Sequence, residues 1–362
     1  MKGKLLLATK ALFISSAIFA QTETEPEEPK GELQINGSVD AYYRYNFQNA
    51  KSAGNFNNLT SFTNSQNSIE LGMASLKASY SKGKAEVVVD LGFGTRAKEF
   101  SYAEEPHIND DGELTGSALL QAIKQAYLVY KPTDNIRISA GKWGTHLGYE
   151  VLDPQLNRNY SMSYMFSYGP FSHTGLKIDY NIGSGFGLMA GITNPTDYLG
   201  ASFAKKNVIA QFSKTSDNVS AFLNYVGGKD LDGNNHNQIG LTATATVSDA
   251  FSLGYDGTVK MVDPVSGTSG KWWGSALYLN VDPSEKFGIT LRGEYFDDKK
   301  DAVLLGTSLI QSTLSFNIKP TSGLAIIPEF RIDSAKDPIF TKSNGTTTKS
   351  AGSFLVAAVY SF

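Results

Sequence analysis

Ala351-Gly352-Ser353-Phe354-Leu355-Val356-Ala357-Ala358-Val359-Tyr360-Ser361-Phe362 is the last stretch of the chain, and its reading decides the fold. It holds no charge, no Pro and no helix cap, and it finishes on an aromatic ring. Gly352, Phe354, Val356, Ala358, Tyr360 and Phe362 alternate with Ala351, Ser353, Leu355, Ala357, Val359 and Ser361. In a soluble protein such a terminal strand would be an open edge that invites aggregation. A membrane β-barrel removes the edge by pairing its last strand with its first. The bulky face, with Phe354, Val356, Tyr360 and Phe362, is then expected to meet lipid, and Ser353 and Ser361 to face the lumen.

The partner that closure requires stands near the other end. Leu33, Ile35, Gly37, Val39, Ala41, Tyr43, Tyr45 and Phe47 share one face, and Gln34, Asn36, Ser38, Asp40, Tyr42, Arg44 and Asn46 the other. This alternation outruns the strand of about five or six residues usual in globular proteins. It fits a tilted strand that crosses a bilayer in about nine to eleven residues and continues beyond it. An Arg or Lys facing lipid near the midplane costs about 2–4 kcal/mol, and Asp less. Asp40 and Arg44 therefore turn the even face into the lumen.

The same pattern recurs along the chain. Ile69, Leu71 and Met73 alternate, and a slip of phase to Ala74, Leu76, Ala78 and Tyr80 predicts a bulge. Pro328 lies inside a later run and counts against that strand. Short connections fall at Ser81–Lys84, Lys131–Asn135, Asn181–Gly185, Lys214–Asn218, Ser248–Ala250, Asp282–Lys286 and Lys319–Gly323. Longer polar ones lie near 48–66, 94–118, 143–172, 195–204, 227–237, 263–271, 297–302 and 334–350. Seven turns and eight loops separate sixteen strands, the even number and short-turn asymmetry of a bacterial outer-membrane barrel. The fold expected is all-β, a transmembrane antiparallel barrel with short periplasmic turns and long extracellular loops.

Aromatic residues form two belts, as two lipid–water interfaces select. Tyr80, Tyr130, Tyr180, Phe186, Phe212, Phe251, Phe287 and Phe316 adjoin the short turns. Tyr45, Phe47, Phe93, Tyr225, Trp272, Trp273, Tyr295 and Phe330 lie towards the long loops. No run of about 18 apolar residues follows the N-terminal region, which excludes a helical membrane protein but not a barrel, whose alternation averages to neutral. A net charge of −3 with no Lys/Arg cluster excludes a nucleic-acid footprint. Without Cys there is no disulfide framework and no lipoprotein attachment.

Residues 1–20 read as a cleaved signal peptide, basic at Lys2, Lys4 and Lys10 and apolar from Ala11 to Ala20. Cleavage is placed after Ala20, with Ser15-Ser16-Ala17 as the other small-residue site. Residues 21–32, rich in Glu and Pro, predict a disordered acidic periplasmic leader. Residues 33–362 are the barrel of a protein exported to a Gram-negative outer membrane.

The longest loop carries the most distinctive sequence. It opens with Gly141-Lys142-Trp143-Gly144-Thr145 and continues through Gly148-Tyr149-Glu150 and Asn159-Tyr160-Ser161. It closes on Pro170-Phe171-Ser172-His173-Thr174-Gly175. In these pieces the chain resembles the OmpL-like β-barrel porin family of Gram-negative outer membranes. The resemblance covers the mature chain, though only this region is motif-like. It implies an outer-membrane barrel with porin activity and carries no functional residues over.

Lumen-facing positions supply the pore-lining candidates Asp40, Arg44, Glu86, Asp90, Arg137, Lys177, Asp179, Lys260, Arg292, Glu294, Glu329 and Arg331. Glu70, Asp256 and Asp333 fall on the same face, and the acidic excess sets an expectation of weak cation preference. If the long loop folds inward, Lys142, His146, Glu150, Asp153 and Arg158 are its constriction candidates; a purely external loop is the alternative. His107, His146, His173 and His236 lack partners at metal-ligand spacing, so no metal or cofactor is expected.

The function read from this is a porin, a passive diffusion channel for small hydrophilic solutes or ions. A plugged barrel acting as adhesin, receptor or structural anchor is the rival, and a barrel hydrolase at Ser172 and His173 lacks a third group. The partners are outer-membrane lipids, the permeant solutes and the barrel assembly machinery, whose C-terminal aromatic signal Phe362 resembles. Sixteen-stranded porins commonly form homotrimers, and no stretch here marks a subunit interface.

Overall fold

Sixteen alternating segments, each apolar on one side, satisfy their backbone groups in lipid only by pairing all the way round. The computed structural model describes residues 30–108 and 114–362. The expected signal peptide at 1–20, and the leader as far as residue 29, lie outside the described residues.

The strands in chain order are β1 (Glu32–Asn46), β2 (Ser68–Lys82), β3 (Ala85–Phe93), β4 (Ile123–Thr133), β5 (Ile136–Gly144) and β6 (Ser172–Gly183). β7 (Phe186–Thr193), β8 (Asn207–Thr215), β9 (Val219–Lys229), β10 (Asn235–Ser248) and β11 (Phe251–Asp263) follow. β12 (Gly270–Ser284), β13 (Phe287–Asp297), β14 (Ser308–Thr321), β15 (Leu324–Ala335) and β16 (Ser350–Ser361) complete the set. Each pairs with its neighbours in sequence and β16 returns to β1, which closes the barrel.

Closure runs from Ser38↔Ser361 through Tyr43↔Val356 to Asn46↔Ser353. Beyond the last strand residue, Phe362 N–H donates to the Gly37 carbonyl at 3.0 Å and Gly37 N–H to the Phe362 carbonyl at 3.1 Å. Leu33, Ile35, Val39, Tyr360 and Phe362 are exposed on the outer surface. Ser38, Asp40, Tyr42, Arg44, Ser353, Leu355, Ala357 and Val359 are buried inside.

Three local expectations are corrected or resolved. The bulge in β2 lies at Gly72, one residue earlier than the phase slip placed it, because Asp40 faces Met73 while Ala41 faces Leu71. Met73 therefore turns inward and is fully buried, where the alternation had set it outside. Trp272 is likewise no belt residue: it is inside the barrel with its ring 5.2 Å from Phe296, and Trp273 alone faces outward. Pro328 is accommodated in β15, where it pairs with Val356 of β16 and pairing with β14 lapses between Glu329 and Ile326.

Among the described residues the core is the barrel interior. One buried cluster joins Tyr164 and Met165 of the 145–171 loop to Trp272, Tyr278 and Phe296 of the wall. Another joins Tyr160 to Tyr42, Ile327, Leu355, Ala357 and Val359. A third packs Met162, Phe166 and Phe171 on Phe62, Met73 and Phe100. The loop thus packs inside the lumen it enters.

Candidate functional site

The third long loop, 145–171, leaves β5 shortly after a glycine that the strand's close packing requires. Gly141 holds φ 132°, and a Cβ there would stand 2.2 Å from the Ala126 carbonyl oxygen, so only Gly fits. Lys142 beside it is buried, and its ammonium donates to Ser101 Oγ at 3.1 Å and the Ile123 carbonyl at 2.8 Å. His146 then donates from Nε2 to the Tyr225 carbonyl at 3.0 Å. Tyr149 N–H donates to Asp256 at 3.1 Å while its ring stacks on Tyr278, centroids 4.2 Å apart.

From Glu150 onward the loop is held by buried charge. Glu150 pairs with Arg292 and accepts the Ser163 N–H at 2.8 Å. Asp153 meets the Lys124 ammonium at 2.5 Å, and Asp90 meets the same ammonium at 2.9 Å. Arg158 forks onto Asp282 at 2.6 and 3.0 Å and reaches Thr290 Oγ1 at 2.8 Å. Such bidentate pairing fixes geometry as well as charge.

The far side of the loop meets the opposite wall. Tyr160 donates its hydroxyl to Asp40 and its N–H to Glu329 at 2.9 Å. Glu294 accepts the N–H groups of Tyr164 and Met165, both at 2.9 Å, at the start of the short helix α1 (Tyr164–Tyr168). Arg331 donates to the Met162 carbonyl at 2.7 Å. The return to β6 is latched from the next loop by Asp197, which accepts from Phe171 and Ser172 N–H at 2.7 and 2.8 Å.

Gly72 makes the Tyr160 contact possible: a Cβ there would lie 1.8 Å from Asp40 Oδ2 and 2.4 Å from the Tyr160 hydroxyl. Gly72→Ala is expected to destabilise the barrel by about 1–3 kcal/mol through overpacking. A lower temperature for loss of heat-modifiable migration would register it; an unchanged temperature would mean that Asp40 and Tyr160 can separate freely.

The sequence candidates thus divide. Asp40, Arg44, Asp90, Arg292, Glu294, Glu329 and Arg331 face inward but are buried. Glu86, Arg137, Lys177, Asp179 and Lys260 stay partly open. Lys142 and Glu150 are buried, while His146, Asp153 and Arg158 keep part of their surface. Space is left between the loop and the β8–β10 wall. A cavity of about 270 Å³ there is lined by His146, Gly148, Tyr149, Gln211, Phe222, Thr242 and Thr244.

Sequence reasoning missed Lys124 and Arg96. Lys124 is buried because the β3–β4 register shifts between Asp90 and Leu91 and turns it inward. A Lys in phase with the outward Ala126 and Leu128, where a charge facing lipid would be costly, was the available signal. Arg96 sits outside the strands and donates to the Leu152 and Tyr160 carbonyls, both at 3.1 Å, which no periodicity marks.

The proposed hydrolase pair is not assembled. His173 Nε2 lies 3.1 Å from Thr145 Oγ1, and its Nδ1 has no partner, so no carboxylate orients the ring. Asp230 accepts from Asn234 N–H at 2.9 Å and pairs with His236 at 2.8 Å, closing its external turn on itself. Among the described residues no three His, Asp or Glu side chains stand together as a metal site.

The family described as "Putative beta-barrel porin-2, OmpL-like" matches residues 32–362. No curated protein matches the chain in sequence. Among solved structures, the chain is similar to an anion-selective porin from Comamonas acidovorans, with TM-score 0.61 and 11% identity over 92% of this chain and 100% of that one. It is also similar to the outer membrane channel DcaP of Acinetobacter baumannii, with TM-score 0.60 and 13% identity over 92% and 97%. OmpT of Vibrio cholerae gives TM-score 0.58 and 13% identity over 93% and 100%. Identities this low show a shared fold.

Proposed function

Since the chain belongs to this OmpL-like β-barrel porin family of the outer membrane, we propose that it is a passive diffusion channel for small hydrophilic solutes and ions. The supporting observation is the cavity left between the 145–171 loop and the uncharged lining that Gln211, Phe222, Thr242 and Thr244 give the β8–β10 wall. A barrel of sixteen strands leaves an aqueous channel, and a loop folded into it narrows that channel. Glu86, Arg137, Lys177 and Asp179 are the pore-lining residues in this reading, and His146, Arg158 and the Tyr149 ring bound the narrow part.

Purified protein in planar bilayers should give discrete conductance steps, and liposomes should admit small neutral sugars faster than larger ones. Steps absent at every protein concentration would reject the channel. A second reading has its own support: Tyr160, Met162 and Tyr164 are fully buried inside the barrel, as a plug would be. A plugged adhesin or anchor gives no steps and no sugar entry, so one experiment separates the two.

Export by a signal peptide cleaved after Ala20, lipid contact around the apolar outer face, and recognition of Phe362 by the assembly machinery belong to the same proposal. So does a homotrimer, which cross-linking in intact outer membranes would detect.

A further inference from the structure

The charges that alternation places on the lumen do not all meet water: Asp40, Asp90, Asp256, Glu294, Glu329 and Asp333 are buried, against Arg44, Arg292 and Arg331 among the bases. Most of these acids hold the 145–171 loop, as Arg292 and Arg331 also do. Asp40 takes the Tyr160 hydroxyl, and Glu329 takes the N–H groups of Tyr160 and Ser161. Glu294 takes those of Tyr164 and Met165, and Asp256 that of Tyr149. Asp90 and Asp153 share Lys124. A carboxylate buried under such donors is withdrawn from direct contact with permeant ions.

The wall formed by β2–β6 is different. Towards the short-turn end it carries Lys77, Glu86, Lys131, Arg137, Lys177 and Asp179, all at least partly exposed. Lys77 stands opposite the inward-facing Asp90 and makes no ion pair recorded among the described residues. Glu86 serves two cations, Lys131 at 3.2 Å and Arg137 at 3.5 Å. Asp179 lies 3.1 Å from Lys177 and opposite Arg137 in the ladder. Four cations thus face two carboxylates on one wall. Arg158 and Asp282 across the lumen cancel as a pair, and Gln211, Asn224, Thr242 and Thr244 add no charge.

We infer that the passage prefers small anions, such as chloride and low-mass carboxylates, which the Lys77–Lys131–Arg137–Lys177 wall attracts. This reverses the sign that a count of lumen charges suggests, because burial removes mainly acids from the count. It rests on the channel reading above and narrows it to a substrate class. Neither two-fold pairing at Glu86 nor the Lys177–Asp179 contact neutralises the wall, and a partly exposed charge still acts across about one Debye length.

The test is reversal potential under a KCl gradient. Conductance steps with a potential directed to chloride are expected, at a permeability ratio of about three, given a small charge excess acting through water and salt. Steps with a zero or potassium-directed potential overturn this inference and leave the channel standing; no steps overturn both. The paired change Arg137→Glu and Lys177→Glu should turn the potential towards potassium. The milder pair Arg137→Gln and Lys177→Gln, which adds no repulsion to Glu86 or Asp179, should bring the ratio close to one. Either folded variant retaining the wild-type potential overturns the assignment to this wall.

Discussion

Arg292→Ala is expected to release the 145–171 loop from the wall and raise single-channel conductance. Arg292 is fully buried, pairs with Glu150, and donates to the Ser161 carbonyl at 2.8 Å, Gln311 at 2.9 Å and Thr313 at 3.1 Å. Removing it leaves Glu150 as an uncompensated buried carboxylate and takes a donor from each of three other acceptors. Breaking a buried pair from one side costs about 3–5 kcal/mol. The strands are held by their own ladders, so the loop is the part that can move to bring Glu150 to water. Noisier and larger conductance steps, together with entry of sugars that the wild type excludes, would show this. The double change Arg292→Met with Glu150→Gln removes both charges and should recover most of the wild-type behaviour. If Arg292→Ala conducts as wild type does, the loop is held by its other anchors.

Deleting Phe362 should reduce the amount of closed barrel in the outer membrane several-fold. The residue does two things that can be separated. Its backbone exchanges both hydrogen bonds with Gly37, at 3.0 and 3.1 Å, and its ring lies over the space that the missing Gly37 side chain leaves open. Two lost hydrogen bonds alone would cost about 1–3 kcal/mol. Phe362→Ala keeps the backbone pair and removes the ring. If assembly depends on the aromatic group, that variant fails as badly as the deletion. If closure is what matters, it assembles near the wild-type level. Normal heat-modifiable migration of the deletion would remove both roles.

The barrel was legible because its signals are local. Ser353 against Phe354 and Asp40 against Val39 are adjacent residues, and period-two alternation needs nothing more to assign faces. The turns and the closure partner followed from the same rule. The loop could not be read in this way. Tyr160 meets Asp40 across 120 positions and Arg158 meets Asp282 across 124, so nothing near either residue announces the contact. Bulges defeated the rule elsewhere: one skipped residue at Gly72 moved Met73 from lipid to core, and the slip at Asp90–Leu91 hid Lys124. The burial of the lumen charges escaped the rule for a third reason. Alternation reports which way Glu294 and Glu329 point, but not that backbone N–H groups of a distant loop wait there.

The place where Tyr160 docks has a mechanical consequence. Asp40 belongs to β1 and Glu329 to β15, so Tyr160 grips both sides of the final strand from within. Leu355, Ala357 and Val359 of β16 pack against the same cluster. The junction between first and last strands is therefore braced across its inner face as well as laced along its ladder. A tear that peeled β16 away sideways would have to break the brace and the ladder together. The loop that narrows the passage is also the strut that keeps the cylinder from unrolling.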